Sequence, residues 1–364
     1  MTSTNLRAIR EKRGISSAEL AGQVGISRQT IYAIEAGTYV PNTTIALLLA
    51  RSLEVPVEEL FRLDDDGQSD AANSDADLLL CEPDSTWEGQ GVRVGKVGQR
   101  RVAIPLTPEP AFLPDVDGIA GAARDGFHTI LGASGREPAA LVIAGCDPGL
   151  SLAASQLRGF GVALTSCSST QALQWLREGR VHVAGSHLRD SATGEFNLPA
   201  TRRLFPRGEF RVVTFATWEV GLVVSRGNPK AIRGVADLGR RGVTIVNREE
   251  GAGSREFLDR LILESGLEPK AIRGYDSVAR GHLAAAARVA SGDAHVCLAT
   301  RVAARSLGLD FLPLAVERYD LITLNSYAAN ESVLALFEAL NRAAVRRRLK
   351  DLAGYDTTET GVSR

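Results

Sequence analysis

From Ala139 onward, short β-branched or apolar runs alternate with helical patterns, and this alternation narrows the fold more than any other feature of the chain. "AALVIAG", "VALTSC", "VHVAGSH", "RVVTFATWEVGLVV", "GVTIV", "DAHVCLAT" and "LDFLPLAV" read as strands, with helices between most of them. Parallel neighbours need a crossover, and helices supply it, so the pattern argues a parallel α/β sheet. At about 225 residues the segment exceeds one small doubly wound sheet, which points to two lobes. The long run from Arg211 to Pro229 is expected to cross between them. Lobe 1 is then about 139–217 and 320–364, and lobe 2 about 220–315, with closing helices from Glu331 to Leu352.

The rest of the chain divides by composition. Residues 1–63 read as short helices with tight turns. Residues 64–77, "DDDGQSDAANSDAD", hold six Asp and no basic residue, which reads as a solvated linker. Residues 78–138 are β-leaning, with strand pairs in "GVRVGKVGQRRVAIPL" and "DGIAGAARDGFHTIL", and read as a connector to which the sequence assigns no role.

Net charge is −1, so a global basic field is not how a partner is found, although a local patch is allowed. No run reaches the roughly 18 apolar residues of a membrane span, and the N-terminus shows no signal-peptide core; a cytoplasmic location without membrane contact is expected. Cys81, Cys146, Cys167 and Cys297 form no C-x-x-C pair. They read as buried or bystander thiols, and no metal site is expected.

The most specific stretch is "ISSAELAGQVGISRQTIYAIEAG". Ser16 and Glu19 make a capping box; Leu20, Ala21 and Val24 give an apolar face; Gly25 permits a sharp turn. Ser27 caps the next helix, with Ile31 and Ile34 inward, and Gly37 ends it. Two short helices about a glycine turn are a helix-turn-helix layout. With the Pro41–Asn42 step and "VPVEELF", about sixty residues resemble the lambda-repressor-like XRE family of regulators. The resemblance implies that the third helix enters the major groove of a double-stranded operator. Ser27, Arg28, Gln29, Thr30 and Tyr32 then lie at or near base edges, with Ser17, Thr38, Tyr39 and Asn42 at phosphates. It also implies that Arg10 and Glu35 pair inside the module. Seven Lys or Arg against six Asp or Glu in residues 1–63 make one module a weak binder. A homodimer or higher oligomer on a (pseudo)palindromic operator is expected.

In the C-terminal segment three early strands end in polar clusters: "AGCDPGL", with Asp147 as helix cap and Pro148 at the first helical position; "SCSSTQAL", with Ser168 and Ser169; and "AGSHLRD", with Ser186 and His187. Ligands of open α/β sheets bind outside such strand ends. The phrases "GCDP", "GSHLRDSATGEFN", "GLVVSRGNP", "NREEGAGSREFLD", "GLDFLPLAVERYDL" and "GYDTTETG" resemble the PBP-like family, of type II periplasmic-binding-protein layout, found fused to XRE modules and to molybdopterin-biosynthesis domains. That resemblance implies a molybdate- or tungstate-type oxyanion, or a molybdenum-cofactor-related molecule, as effector. Hydroxyls and backbone N–H groups at helix N-termini suit a dianion. Ser168, Ser169, Ser186 and Ser254 offer hydroxyls, and Gly251 and Gly253 let the backbone approach. Asn247, Arg248, Arg255, Trp218, Glu219 and Tyr319 fall near the expected hinge and cleft. Trp218 and Glu219 also suit a larger organic metabolite, and each Ser equally suits a helix cap.

The whole reads as a multi-domain chain: an all-α DNA-binding module, a small β-rich connector and a two-lobed α/β effector domain. The function expected is a one-component transcriptional regulator with no required cofactor. No Ser-His-Asp order, metal-spaced His/Cys set or Walker lysine supports the alternative of an enzyme of molybdopterin metabolism.

Overall fold

The computed structural model describes residues 2–63, 73–79, 87–106, 114–124, 127–132 and 137–364, and divides into two compact units, Met1–Ser74 and Asp75–Arg364. The first unit holds helices α1 (Leu6–Lys12), α2 (Ser17–Val24), α3 (Arg28–Glu35), α4 (Thr43–Leu53) and α5 (Val57–Leu60), with strands β1 (Thr2–Thr4) and β2 (Phe61–Leu63) paired antiparallel. The Ser16 Oγ accepts the Glu19 N–H at 3.2 Å and the Ser27 Oγ accepts the Thr30 N–H at 3.0 Å, so both caps form. Gly25 takes φ 75° at the end of α2, a left-handed conformation that any side chain would strain. Leu6, Leu20, Val24, Ile31, Ile34, Leu49 and Leu53 close the core.

The Arg10 guanidinium is buried and donates to Glu35 at 2.6 Å and to the Ile15 carbonyl at 2.9 Å. This pair ties α1 to α3, as the family resemblance implies. Removing one partner strands a buried charge, so Glu35→Ala should cost the module roughly 3–5 kcal/mol. Urea unfolding followed by far-UV circular dichroism would show it; a loss below 1 kcal/mol, on the order of a surface pair, would make the contact incidental.

The second unit begins with a closed barrel of β3 (Asn73–Leu78), β4 (Gly91–Val97), β5 (Arg100–Pro105), β6 (Gly118–Arg124) and β7 (Phe127–Leu131), in the order β3-β5-β4-β6-β7. β3 corrects the expected linker. Residues 64–72 of the expected linker lie outside the described residues, but its C-terminal end is a strand. Ala76 and Leu78 are buried in the barrel, while Asp77 is held by Arg100 at 3.1 Å and Arg180 at 2.8 Å. The acidic charge that suggests solvation in sequence is answered by arginines far along the chain. On the barrel's other side Leu79, Val97, Val102 and Ile104 pack with Val142, Leu173 and Trp175 of lobe 1, so the connector forms a wall of that lobe.

The effector domain follows as β8 (Leu141–Ala144), α6 (Leu150–Ala154), β9 (Val162–Thr165), α7 (Ser169–Arg177), β10 (Val183–Ser186), α8 (Leu198–Leu204), β11 (Phe210–Val224), β12 (Ile245–Arg248), α9 (Gly253–Glu264), β13 (Val278–Ala279), α10 (His282–Ala290), β14 (Val296–Thr300), α11 (Arg301–Ser306), β15 (Asp310–Leu324), α12 (Glu331–Leu340), α13 (Ala343–Asp351) and β16 (Tyr355–Asp356). One nine-stranded sheet runs β13-β12-β14-β11-β15-β10-β8-β9, with β16 on β11. β8, β9 and β10 are parallel in lobe 1, and β12, β13 and β14 are parallel in lobe 2. The antiparallel pair β11–β15 runs through both lobes. α6 starts at Leu150 with Gly149 at the cap position, so Asp147 and Pro148 sit in the preceding turn rather than at N-cap and N1.

His182, between α7 and β10, is buried and its Nδ1 accepts the Val142 N–H at 3.1 Å. Burial pushes the ring's pKa from 6.5 down to about 4. The unfolded chain therefore binds the extra proton between these values, and stability present above pH 6.5 is lost as pH falls toward 4, by roughly 3 kcal/mol. His182→Asn keeps an acceptor for Val142 and should flatten that part of the profile in urea melts taken from pH 7 to pH 4. An unchanged slope would assign it to other groups.

Candidate functional site

In the first unit the start of α3 is the exposed polar face. Arg28 and Gln29 are exposed, Thr30 is half-buried, and Tyr32 is 46% exposed. Arg28 lies along the helix: its Nε and Nη2 donate to the Tyr32 hydroxyl at 3.1 and 2.7 Å, with the guanidinium 5.3 Å from the ring centre. Both side chains are thus held at one place on the helix surface. Ser27 and Asn42 cap helices, Asn42 accepting the Ile45 N–H at 2.9 Å, and the Thr38 hydroxyl donates to the Ala33 carbonyl. Ser17 is buried, so in this arrangement it is not open to a phosphate. Tyr39 is exposed.

The second site lies between the lobes, where the carboxyl ends of β8, β9 and β10 face those of β12 and β13. Thr170 at the start of α7 reaches across: its Oγ1 donates to the Gly251 carbonyl at 3.1 Å. Gly253, the first residue of α9, is pressed on the His187 ring, which a Cβ would approach to 3.0 Å. Only a residue without a Cβ fits this approach comfortably, and the lobes are closed on one another. A cavity of about 390 Å³ remains, lined among others by Cys146, Asp147, Ser166, Arg280 and His282. A second of about 170 Å³ lies against Cys167, Ser168, Gln171, Glu249 and Arg280.

The buried heart of the cleft is aromatic and ionisable. Trp218 packs edge-on to His187 and His282, with ring centres 5.1 and 5.4 Å apart, and tilted on Tyr319 at 4.7 Å. The Tyr319 hydroxyl accepts the Cys146 N–H at 3.1 Å. Gly145 and Gly185 leave room for its phenol, where a Cβ at either would overlap the hydroxyl. Glu317 Oε2 takes the His187 Nδ1 at 2.9 Å and the Trp218 Nε1–H at 3.3 Å. Burial alone would lower the His187 pKa, but the Cys146 sulfur and Glu317 overcome it and hold the ring up at about 10. His282, which lacks such a carboxylate, is driven well below its usual value by burial and by the Arg248 and His187 charges. Burial raises the Asp147 pKa to about 7 while its Oδ1 accepts from Gly149 N–H at 2.5 Å and Tyr355 hydroxyl at 2.6 Å.

Arg248 is 2% exposed, and its Nε and Nη2 both donate to Glu249 at 2.8 Å. Its charge acts on Cys146 and His282, so it faces the site. Its Nη1, the Ser254 Oγ, the His187 Nε2, the Asp147 Oδ2 and both nitrogens of His282 are buried with no hydrogen-bond partner among the described residues. A buried polar atom left unpaired costs about 1–3 kcal/mol, and several such atoms, from both lobes, gather here.

Other expected contacts serve the scaffold. Ser168 caps α7 through the Gln171 N–H, Ser169 accepts the His187 N–H at 3.2 Å, and Ser186 accepts the Leu188 N–H at 3.5 Å. Asn247 bonds the Arg248 N–H and the Tyr275 carbonyl. Arg255 donates to the Arg248 carbonyl at 3.0 Å and stacks on Tyr275, so it holds the loop. Glu219 corrects the expectation: successive strand residues point to opposite faces, so with Trp218 in the cleft Glu219 turns away and pairs with Arg301 at 2.9 Å. The residues missed are Cys146, His282, Glu249, Glu317 and Tyr355. Glu317 carries one signal, its place opposite Trp218 in the β11–β15 register; the others stand in no spacing motif.

The chain is similar to several known proteins. YvgK of Bacillus subtilis, itself uncharacterized, is 36% identical over 185 residues, which is 50% of this chain and 59% of that protein's length. An uncharacterized HTH-type transcriptional regulator of Methanothermobacter thermautotrophicus is 43% identical over 65 residues, 18% of this chain and 94% of its own. The sulfate-binding protein SubI of Mycobacterium tuberculosis superposes with a TM-score of 0.44 at 14% identity, over 59% of this chain and 85% of its own. The helix-turn-helix family matches residues 6–60, and the family described as the PBP superfamily domain matches residues 150–341, more than half of the chain. The chain belongs to the PBP superfamily domain family and carries a helix-turn-helix domain of XRE type at its N-terminus.

Proposed function

We propose that the protein is a one-component transcriptional regulator in the cytoplasm, whose DNA-binding module responds to a small ligand held between the lobes. The observation that carries this is the set of unpartnered buried polar atoms drawn from both lobes, in a chain that also presents Arg28 and Gln29 at the start of a recognition helix. A ligand that touches both lobes binds the closed arrangement better than an open one and shifts the population toward it. A two-fold dimer on a palindromic operator would turn that shift into a change of half-site spacing.

Arg248 Nη1 and Ser254 Oγ are donors suited to a molybdate- or tungstate-type oxyanion. A second reading, an organic metabolite, is favoured by the cavity of about 390 Å³, lined in part by Leu150, Leu164 and His282. Thermal unfolding of the full-length protein with molybdate, tungstate, sulfate, phosphate and small organic acids separates them. A true ligand at a hundred times its dissociation constant adds about 2.7 kcal/mol of stability. The same compound should change operator affinity at least fivefold in fluorescence anisotropy. Equal affinity with and without every stabilising compound would end the sensing reading.

Arg28→Ala combined with Gln29→Ala should weaken operator binding by about 30-fold or more, since each bidentate base contact contributes about 1–3 kcal/mol. Ligand-dependent stabilisation should be unchanged. Retained operator binding would move recognition away from α3.

A further inference from the structure

We propose that Cys146, His187 and His282 form a binding site for a borderline or soft first-row transition-metal ion of the zinc type, bridging the two lobes. The proposal rests on the reading of the cleft as the effector site and names the chemistry that closes it. The three ligating atoms, one sulfur and two ring nitrogens, lie within 4.8 Å of one another, and all three residues are buried. A tetrahedral ion with bonds of about 2.0–2.3 Å places its donors roughly 3.3–3.8 Å apart, so a small inward movement of the side chains completes the set. Thiolate with two imidazoles is a donor combination that zinc, cobalt and copper prefer and magnesium or calcium do not.

Three further observations point to a cation. Both nitrogens of His282 and the Nε2 of His187 are buried without a hydrogen-bond partner among the described residues. The other His187 nitrogen is fixed on Glu317 at 2.9 Å, the carboxylate–histidine pairing that orients a metal-bound imidazole. In the charge balance Arg248 and Glu249 offset each other at 2.8 Å, so an ion bound in place of the His187 proton meets the Glu317 carboxylate behind that ring. The coordination is also divided. Cys146 and His187 follow β8 and β10 of lobe 1, whereas His282 opens α10 of lobe 2, so an ion can hold all three only when the lobes are together. The cavity of about 390 Å³ reaches both Cys146 and His282, which leaves a fourth position open to water or to an anion.

The test uses the full-length protein, reduced and stripped with a chelator, titrated with Co²⁺ under anaerobic conditions. One equivalent should produce a near-ultraviolet thiolate-to-cobalt charge-transfer band and visible bands of tetrahedral strength, all displaced by Zn²⁺. Cys146→Ser should abolish the charge-transfer band. His282→Gln, which keeps every thiol, should weaken Co²⁺ binding at least a hundredfold, and Glu317→Gln should weaken it about tenfold to a hundredfold. Absence of the band in the unaltered protein, or a band that persists in both Cys146→Ser and His282→Gln, overturns the proposal. If either variant does not fold, the band in the unaltered protein together with its loss in the other decides. Operator binding by the stripped protein is measured in parallel. Its presence without any cobalt band removes the metal and leaves the regulator, whereas absence of operator binding by both the stripped and the metal-loaded protein, beside a normal cobalt titration, removes the regulator and leaves the metal.

Discussion

The antiparallel pairing of β11 with β15 is the constraint on which the effector domain depends. Two strands of 15 residues each run side by side through both lobes and give the sheet its continuity. Everything in the cleft follows from their register. Trp218 stands opposite Glu317, so the indole N–H and the His187 ring meet on one carboxylate oxygen. Tyr319, two residues on, falls on the same face and bonds the Cys146 backbone under the first strand end of lobe 1. The register shifts between Thr214 and Ala216 and between Val220 and Gly221 bracket this stretch and bend the ladder where one lobe gives way to the other.

Around that ladder the two lobes present different chemistry to one cleft. Lobe 1 contributes a thiol, an imidazole and an acid, and lobe 2 contributes a guanidinium, a hydroxyl and a second imidazole. Much of the charge is already answered: Arg248 by Glu249 and His187 by Glu317. What remains is a small number of buried polar atoms without a partner among the described residues, beside aromatic rings. The serines read from sequence as anion contacts mostly secure the strand-to-helix turns that hold these groups in place.

The DNA-binding module shows the opposite balance between local and long-range information. Its caps, its left-handed glycine and its apolar spacing are all contacts within a few residues, and each was legible as written. The Arg10–Glu35 pair came from resemblance, and its burial gives the physical reason: a charged pair that ties α1 to α3 cannot drift without exposing the module core. Ser17, expected at a phosphate, is buried in the folded module, and that depends on how its helices pack rather than on local sequence.

The sequence by itself determined the order of elements and the presence of two lobes, because periodicity and turn chemistry are local. It also determined that polar clusters would end the early strands. It did not determine that the acidic stretch ends in a barrel strand, since Arg100 and Arg180 neutralise Asp77 only after folding. Nor did it find the Cys146–His187–His282 cluster. Those residues come from two lobes and three different strand ends, with no spacing rule among them, and only the closing of one lobe on the other brings the second imidazole to the first and to the sulfur. Tertiary structure decided the site, because the distances that define its chemistry are set by the β11–β15 register and by glycines such as Gly253 that allow the lobes to touch.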